Sequence, residues 1–102
     1  MTALAEHTTL RPVPGILGSA AELIGNTPLV ELNALAAGLP ARILVKLENR
    51  NPGGSSKDRI ALNMVRVAEA SGQLRPGATI VESSSGNTGI GLALVGRLTG
   101  HP

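Results

Sequence analysis

Five side chains, Ile60, Ala61, Met64, Val65 and Ala68, recur at the three- and four-residue spacing of one helical face, and Gly72 follows just beyond them. This stripe limits what the chain can fold into, because it must be buried against a second layer. After it, Leu74-Arg75-Pro76-Gly77 is turn chemistry and residues 78–82 are strand-like around Thr79, Ile80 and Val81. A second helix, rich in small residues, is predicted over 88–98 with Gly100 as its stop. Before the stripe, residues 42–48 alternate Ile43, Val45 and Leu47 with Arg42, Lys46 and Glu48, the period of a strand. Strand, helix, strand, helix with short connections predicts an α/β fold: a partial parallel sheet with flanking helices.

Residues 1–19 mix Pro12, Pro14, Gly15 and Gly18 with small polar residues and read as a flexible leader to a folded part, 20–102. Residues 21–24 can make one helical turn stopped by Gly25, and Asn26-Thr27-Pro28 then turns into a short strand over 29–32. A short helix is predicted at 34–37, before Gly38 and Pro40, and 49–54 is loop by composition. With no Phe, Tyr or Trp, any core must be built from Leu, Ile, Val, Ala and Met, and it will be thin.

The absence of cysteine removes disulfides and thiolate chemistry. Nine basic residues are spread from Arg11 to Arg97 without a cluster, and there are no aromatic rings for base stacking, which excludes a nucleic-acid partner. The first twenty residues lack the apolar core of a signal peptide, and nothing approaches the eighteen or so apolar residues of a membrane span. A cytoplasmic protein with no membrane partner is expected.

Two loops carry chemistry. In NPGGSSKDR, residues 51–59, Ser55 and Asp58 stand three apart and predict a capping box at the start of the first long helix. Lys57 is then left facing the positive end of the helix dipole, which disfavours an exposed ammonium by ~0.3 to 1 kcal/mol. That placement suits an amine used for Schiff-base chemistry, and it is also compatible with an ordinary surface lysine. Gly53 and Gly54 allow the close backbone approach a flat cofactor needs, as a plain turn also does. In SSSGNTGIG, residues 83–91, Ser84, Ser85, Asn87 and Thr88 sit with Gly86 and Gly89 at a strand-to-helix junction, where free amides favour a carboxylate or phosphate. The alternative is a helix cap with a tight turn. Neither the Walker sequence nor the dinucleotide fingerprint fits.

Taken together and in this order, Ile24-Gly25-Asn26-Thr27-Pro28-Leu29, NPGGSSKDR and ESSSGNTGIGLAL at 82–94 resemble the cysteine synthase and cystathionine β-synthase family of fold-type II pyridoxal-phosphate (PLP) enzymes, with a tryptophan synthase β-like architecture. The resemblance implies that Lys57 holds PLP as a Schiff base and moves protons, and that Asn87 hydrogen-bonds the ring hydroxyl of the cofactor. It implies that Ser84, Ser85, Asn87 and Thr88 grip the substrate carboxylate. The reaction implied is β-replacement on an activated serine, such as O-acetylserine plus sulfide giving cysteine, in a homodimer acting on a small amino acid. Ser56 stands where the family commonly has a small apolar or β-branched residue, and Ser83-Ser84 replaces a usual Pro-Thr.

The family's phosphate-binding cup lies beyond the position matching Pro102, so the resemblance implies a truncated amino-terminal part whose missing carboxy-terminal portion completes the catalyst. Two function classes follow: part of such an enzyme, or an inactive α/β fragment or binding module that retains the motifs. Within the enzyme class, cystathionine β-synthase and diaminopropionate-forming enzymes fit the same residues.

Overall fold

A computed structural model describes residues 15–102. The predicted leader falls mostly outside that range, and within it Gly15 to Gly18 are exposed. Ordered structure starts where the sequence indicates, with a 3-10 turn at Ala20–Leu23 whose first amides are met by the Ser19 hydroxyl, which accepts from the Ala21 N–H at 3.2 Å. Gly25 and Asn26 then take positive φ values of 84° and 46°, which reverses the chain ahead of Pro28.

Strand β1, Leu29–Glu31, pairs antiparallel with strand β2, Leu44–Lys46, in the register Leu29 to Lys46, Val30 to Val45 and Glu31 to Leu44. The Arg42 guanidinium reaches across to Glu31, with Nε on Oε1 at 2.8 Å and Nη2 on Oε2 at 3.0 Å, and helps pin this register. Both strands are shorter than predicted. Pro28 accepts from the Leu47 N–H but has no amide to return, which limits the ladder at that end. Glu48, predicted as strand, starts a second 3-10 turn, Glu48–Arg50. The helix predicted at 34–37 is a series of turns, because four residues before a left-handed Gly38 are too few to nucleate a helix.

The parallel sheet predicted from the sequence is not found: among the described residues the sheet has two strands, and they are antiparallel. Residues 78–82, predicted as a strand, form no ladder, and the backbone bond reaching them from outside the local turn is from the Ile80 N–H to the Pro102 carbonyl at 2.8 Å. A parallel ladder needs a neighbouring strand along its length, and a single terminal carbonyl cannot provide one.

Both long helices form as expected. Helix α1, Lys57–Ala70, ends at Ser71 and a left-handed Gly72, and helix α2, Asn87–Thr99, ends at a left-handed Gly100. They pack on each other through Ala61 and Val65 from α1 and Leu92 and Val95 from α2, with Ile24, Leu62, Leu74 and Ile80 at the rim. The core is as thin as the lack of aromatics implies. Of the predicted α1 stripe only Ala61 and Val65 are buried; Ile60 and Met64 stay exposed because no described element covers them. Buried His101 joins the end of the chain to this core, its Nδ1 2.9 Å from the Ala78 carbonyl and its Nε2 2.8 Å from a Glu69 carboxylate oxygen.

Gly91 sets how closely the two helices approach. A Cβ there would lie 3.1 Å from the Ala61 Cβ, 3.2 Å from the Lys57 carbonyl oxygen and 3.3 Å from Asp58 Oδ1. Gly91→Ala must therefore push α1 away and should cost about 1–3 kcal/mol by overpacking. Chemical unfolding of the two proteins checks this; an unchanged denaturation midpoint would contradict the close approach.

Candidate functional site

The loop over 51–56 turns tightly into α1. Asn51 is 3% exposed, and its carbonyl accepts from the Gly54 N–H at 2.8 Å. The two glycines have different duties: Gly54 supplies a φ of 88°, and Gly53 supplies space, because a Cβ on it would collide with the Asp58 carboxylate. Asp58 is fully buried, and its Oδ2 accepts from the Gly53 N–H at 2.5 Å while Oδ1 has no hydrogen-bond partner among the described residues.

The predicted capping box is therefore only half present. Ser55 Oγ accepts from the Lys57 N–H at 3.1 Å, as a cap should, but the Asp58 carboxylate turns to Gly53 instead of returning to Ser55. Lys57 is the first residue of α1 and is exposed, and among the described residues its side chain forms no hydrogen bond.

The second loop caps α2 with one of the four residues singled out in it. Ser84 Oγ accepts from the Gly89 N–H at 3.0 Å and the Gly86 N–H at 3.3 Å. Ser85 and Asn87 are exposed, Thr88 is half-buried, and no side-chain hydrogen bond engages these three among the described residues. Ser84 is thus the cap that the sequence offers as one reading of this loop, and the side chains of Ser85, Asn87 and Thr88 are left without a hydrogen bond among the described residues.

Gly91 brings the two loops together. It rests on the Lys57 carbonyl, and Asn87 lies one helical turn before it on the same face of α2. The starts of both helices, with their positive dipole ends, therefore adjoin. A Cβ built on Gly54 or on Gly86 meets nothing within 4 Å, so open space borders both loops, as a flat cofactor lying against backbone requires. A groove of about 740 Å³ takes in Ser84, Ser85, Gly86 and Gly89 with Ile90 and Arg97, but not Lys57 or Asn87. It follows the face of α2 turned away from the lysine.

A polar cluster behind the first loop went unnoticed in the sequence. Arg59 Nε donates to Glu48 Oε1 at 2.5 Å, while its Nη2 lies 3.3 Å from Glu48 Oε2 and 3.2 Å from Thr27 Oγ1. The Thr27 hydroxyl donates to Glu48 Oε2, and Lys46 Nζ donates to the Thr27 carbonyl at 3.0 Å. Asn51 completes the cluster: its Nδ2 donates to the Glu48 carbonyl and its Oδ1 accepts from the Gly25 N–H, both at 2.8 Å. The signal is spread over two motifs and the strand-like segment between them, with nothing local to link Thr27 and Glu48 to Arg59.

The family model for pyridoxal-phosphate dependent enzymes matches residues 20–102, and the chain belongs to that family. It is similar to cystathionine beta-synthase of Mus musculus, 50% identical over 97 residues that make up 93% of this chain and 17% of that protein. It is also similar to cysteine synthase B of Pseudomonas syringae pv. syringae, 49% identical over 81 residues, 79% of this chain and 48% of that one. Among solved structures, a hydrogen sulfide-producing enzyme from Fusobacterium nucleatum superposes with a TM-score of 0.80 at 45% identity, covering 89% of this chain and 30% of that one. The chain thus spans less than half the length of each of these relatives. The family bears out the expected cofactor, pyridoxal phosphate, and the expected enzyme class. No helix among the described residues is long and apolar enough to cross a membrane.

The Arg59 hydrogen bond, and after it that from Thr27, holds the Glu48 carboxyl down from its ordinary 4.5 to about 2, against the opposing effect of burial. A carboxylate depressed on folding contributes stability that is complete above its unfolded value and is lost as pH falls through the folded one. Stability should therefore decline as pH drops from 4.5 to about 2, and Glu48→Gln should make that decline shallower. Thermal unfolding followed by circular dichroism across this range reads the difference, and equal slopes in both proteins would contradict it.

Proposed function

We propose that this chain carries the lysine and asparagine arms of a PLP site performing β-replacement on an activated serine, such as O-acetylserine with sulfide to give cysteine, in a cytoplasmic homodimer. The observation that carries this proposal is the seat of Gly91 on the Lys57 carbonyl, which sets the exposed lysine beside the start of the helix that bears Asn87. Family membership and the similarity to cysteine synthase B support the chemistry.

Lys57 would hold the cofactor through Nζ and, once the substrate amine has displaced it there, would take up the proton that leaves the substrate Cα. Its place as the first, exposed residue of α1 leaves the amine open to both partners. Asn87 donates its side-chain amide to the ring hydroxyl of the cofactor. Ser85, Asn87 and Thr88 orient the substrate carboxylate at the positive end of α2, joined by Ser84 once its hydroxyl leaves the Gly86 and Gly89 amides. Bound pyridoxal phosphate supplies the electron sink that makes the Cα proton removable. By the family resemblance, grip on the cofactor phosphate would fall to a part of the enzyme beyond the stretch that this chain covers, which is 17% of the Mus musculus relative. Cystathionine β-synthase and diaminopropionate-forming activities would use the same residues with a different nucleophile.

Two measurements on the purified chain test the site. Added PLP should give an absorbance band at the violet edge of the visible, and borohydride reduction should leave a phosphopyridoxyl mass on the peptide containing Lys57. Lys57→Ala should lose both. A missing band, or one that survives the substitution, favours instead an inactive α/β module that retains the motifs.

A further inference from the structure

Among the described residues the Lys57 side chain forms no hydrogen bond, so its position is set by the backbone on either side of it. The two residues that follow it both reach back to the segments that precede it. Asp58 grips the Gly53 amide, inside the loop. Arg59 reaches further, to Glu48 ahead of the loop and to Thr27 in the turn before β1. Its guanidinium also lies against Gly25, where a Cβ would come within 3.0 Å of Nη1 and where φ is 84°.

We infer that the Arg59–Glu48–Thr27 cluster is a positioning device for Lys57, clamping the start of α1 to the Gly25–Pro28 turn and to the Glu48–Arg50 turn. This rests on the role of Lys57 proposed above. Three features make it a clamp rather than a surface ion pair. First, both Glu48 oxygens face the guanidinium in a fork, the geometry in which Arg fixes orientation as well as charge. Second, a third segment enters, since the Thr27 hydroxyl bonds the same carboxylate and is buried at 7% exposure. Third, Asn51 bridges the two turns from inside the lysine loop, accepting from Gly25 and donating to Glu48.

The ionised Glu48 contributes stability, but the pair is partly exposed and screened, so the distinctive contribution of the cluster is geometry. It fixes the direction from which α1 leaves the loop, and with it the point in space from which the Lys57 side chain extends. No member of the cluster need touch the cofactor or substrate. Arg59, Glu48 and Thr27 are positioning residues.

The test compares the wild-type chain with Arg59→Met, Arg59→Lys and Thr27→Val. Amide hydrogen exchange at Gly25 and Gly54, whose N–H groups bond Asn51, reads the clamp with no cofactor present. In Arg59→Met both amides should exchange about tenfold faster while Val65 and Val95 in the helix core keep their protection. Borohydride-trapped phosphopyridoxyl label at Lys57 should fall by about tenfold in the same variant, because the amine is misplaced rather than lost. Arg59→Lys keeps the charge without the fork and should restore only part of either signal.

Unchanged exchange at Gly25 and Gly54 in Arg59→Met overturns the clamp, as does faster exchange spread evenly over both helices, which is the mark of a merely structural role. Wild-type labelling at Lys57 despite faster loop exchange overturns the positioning role too. If Arg59→Met does not fold, Thr27→Val, which leaves the ion pair intact, carries the same comparison with the same two outcomes. If even the wild-type chain takes no label at Lys57, the proposed cofactor site fails, and the clamp is then decided by amide exchange alone.

Discussion

The contact between Gly91 and the first turn of α1 is the constraint on which the rest of this structure depends. Because a hydrogen stands where other residues carry a Cβ, α2 can settle against the Lys57 carbonyl and the Ala61 methyl. Ala61, Val65, Leu92 and Val95 then close into a core without an aromatic ring among them. Small side chains with little apolar area to bury must approach closely if dispersion is to hold them. The approach that makes the core viable also makes the two helix starts neighbours.

Electrostatics at that junction run against ordinary helix design. Two positive dipole ends adjoin, and the first residue of α1 is a lysine. The one carboxylate in the first turn of α1, Asp58, is buried and turned onto the Gly53 amide. Among the described residues its Oδ1 is left without a partner, a cost the fold accepts in holding the loop to the helix. A loop with a conventional capping box would have had an easier start and no reason to fold back over Asp58.

The helices were legible in the sequence and the sheet was not, for different physical reasons. The stripe from Ile60 to Ala68 and the stops at Gly72 and Gly100 are local signals, fixed by a 3.6-residue period and by left-handed backbone; the helices and their stops reappear, although only Ala61 and Val65 of the stripe are buried. Pairing is a long-range property. Residues 78–82 have strand composition, yet no described neighbour runs beside them, whereas Leu29–Glu31 and Leu44–Lys46 pair with each other, with Arg42 bonded to Glu31 at one end of the ladder. The same division holds at the site. Lys57, Asn87 and the hydroxyl loop stood out within single motifs. Arg59, Glu48 and Thr27 did not, because their association spans 32 positions and only folding reveals it.

The Ser84 hydroxyl has a further consequence for any anion that approaches α2. The amides of Gly86 and Gly89 are not bare donors waiting in water; each is already answered by a neutral oxygen from the chain itself. An incoming group must therefore trade places with a hydroxyl, and only the difference between the two sets of bonds favours binding. Hydrogen bonds to a charged acceptor are roughly twice as strong as those to a neutral one, so a carboxylate gains from the exchange while an alcohol or amide breaks even. With both amides answered in advance, the start of α2 offers an anion a smaller net gain than bare amides would.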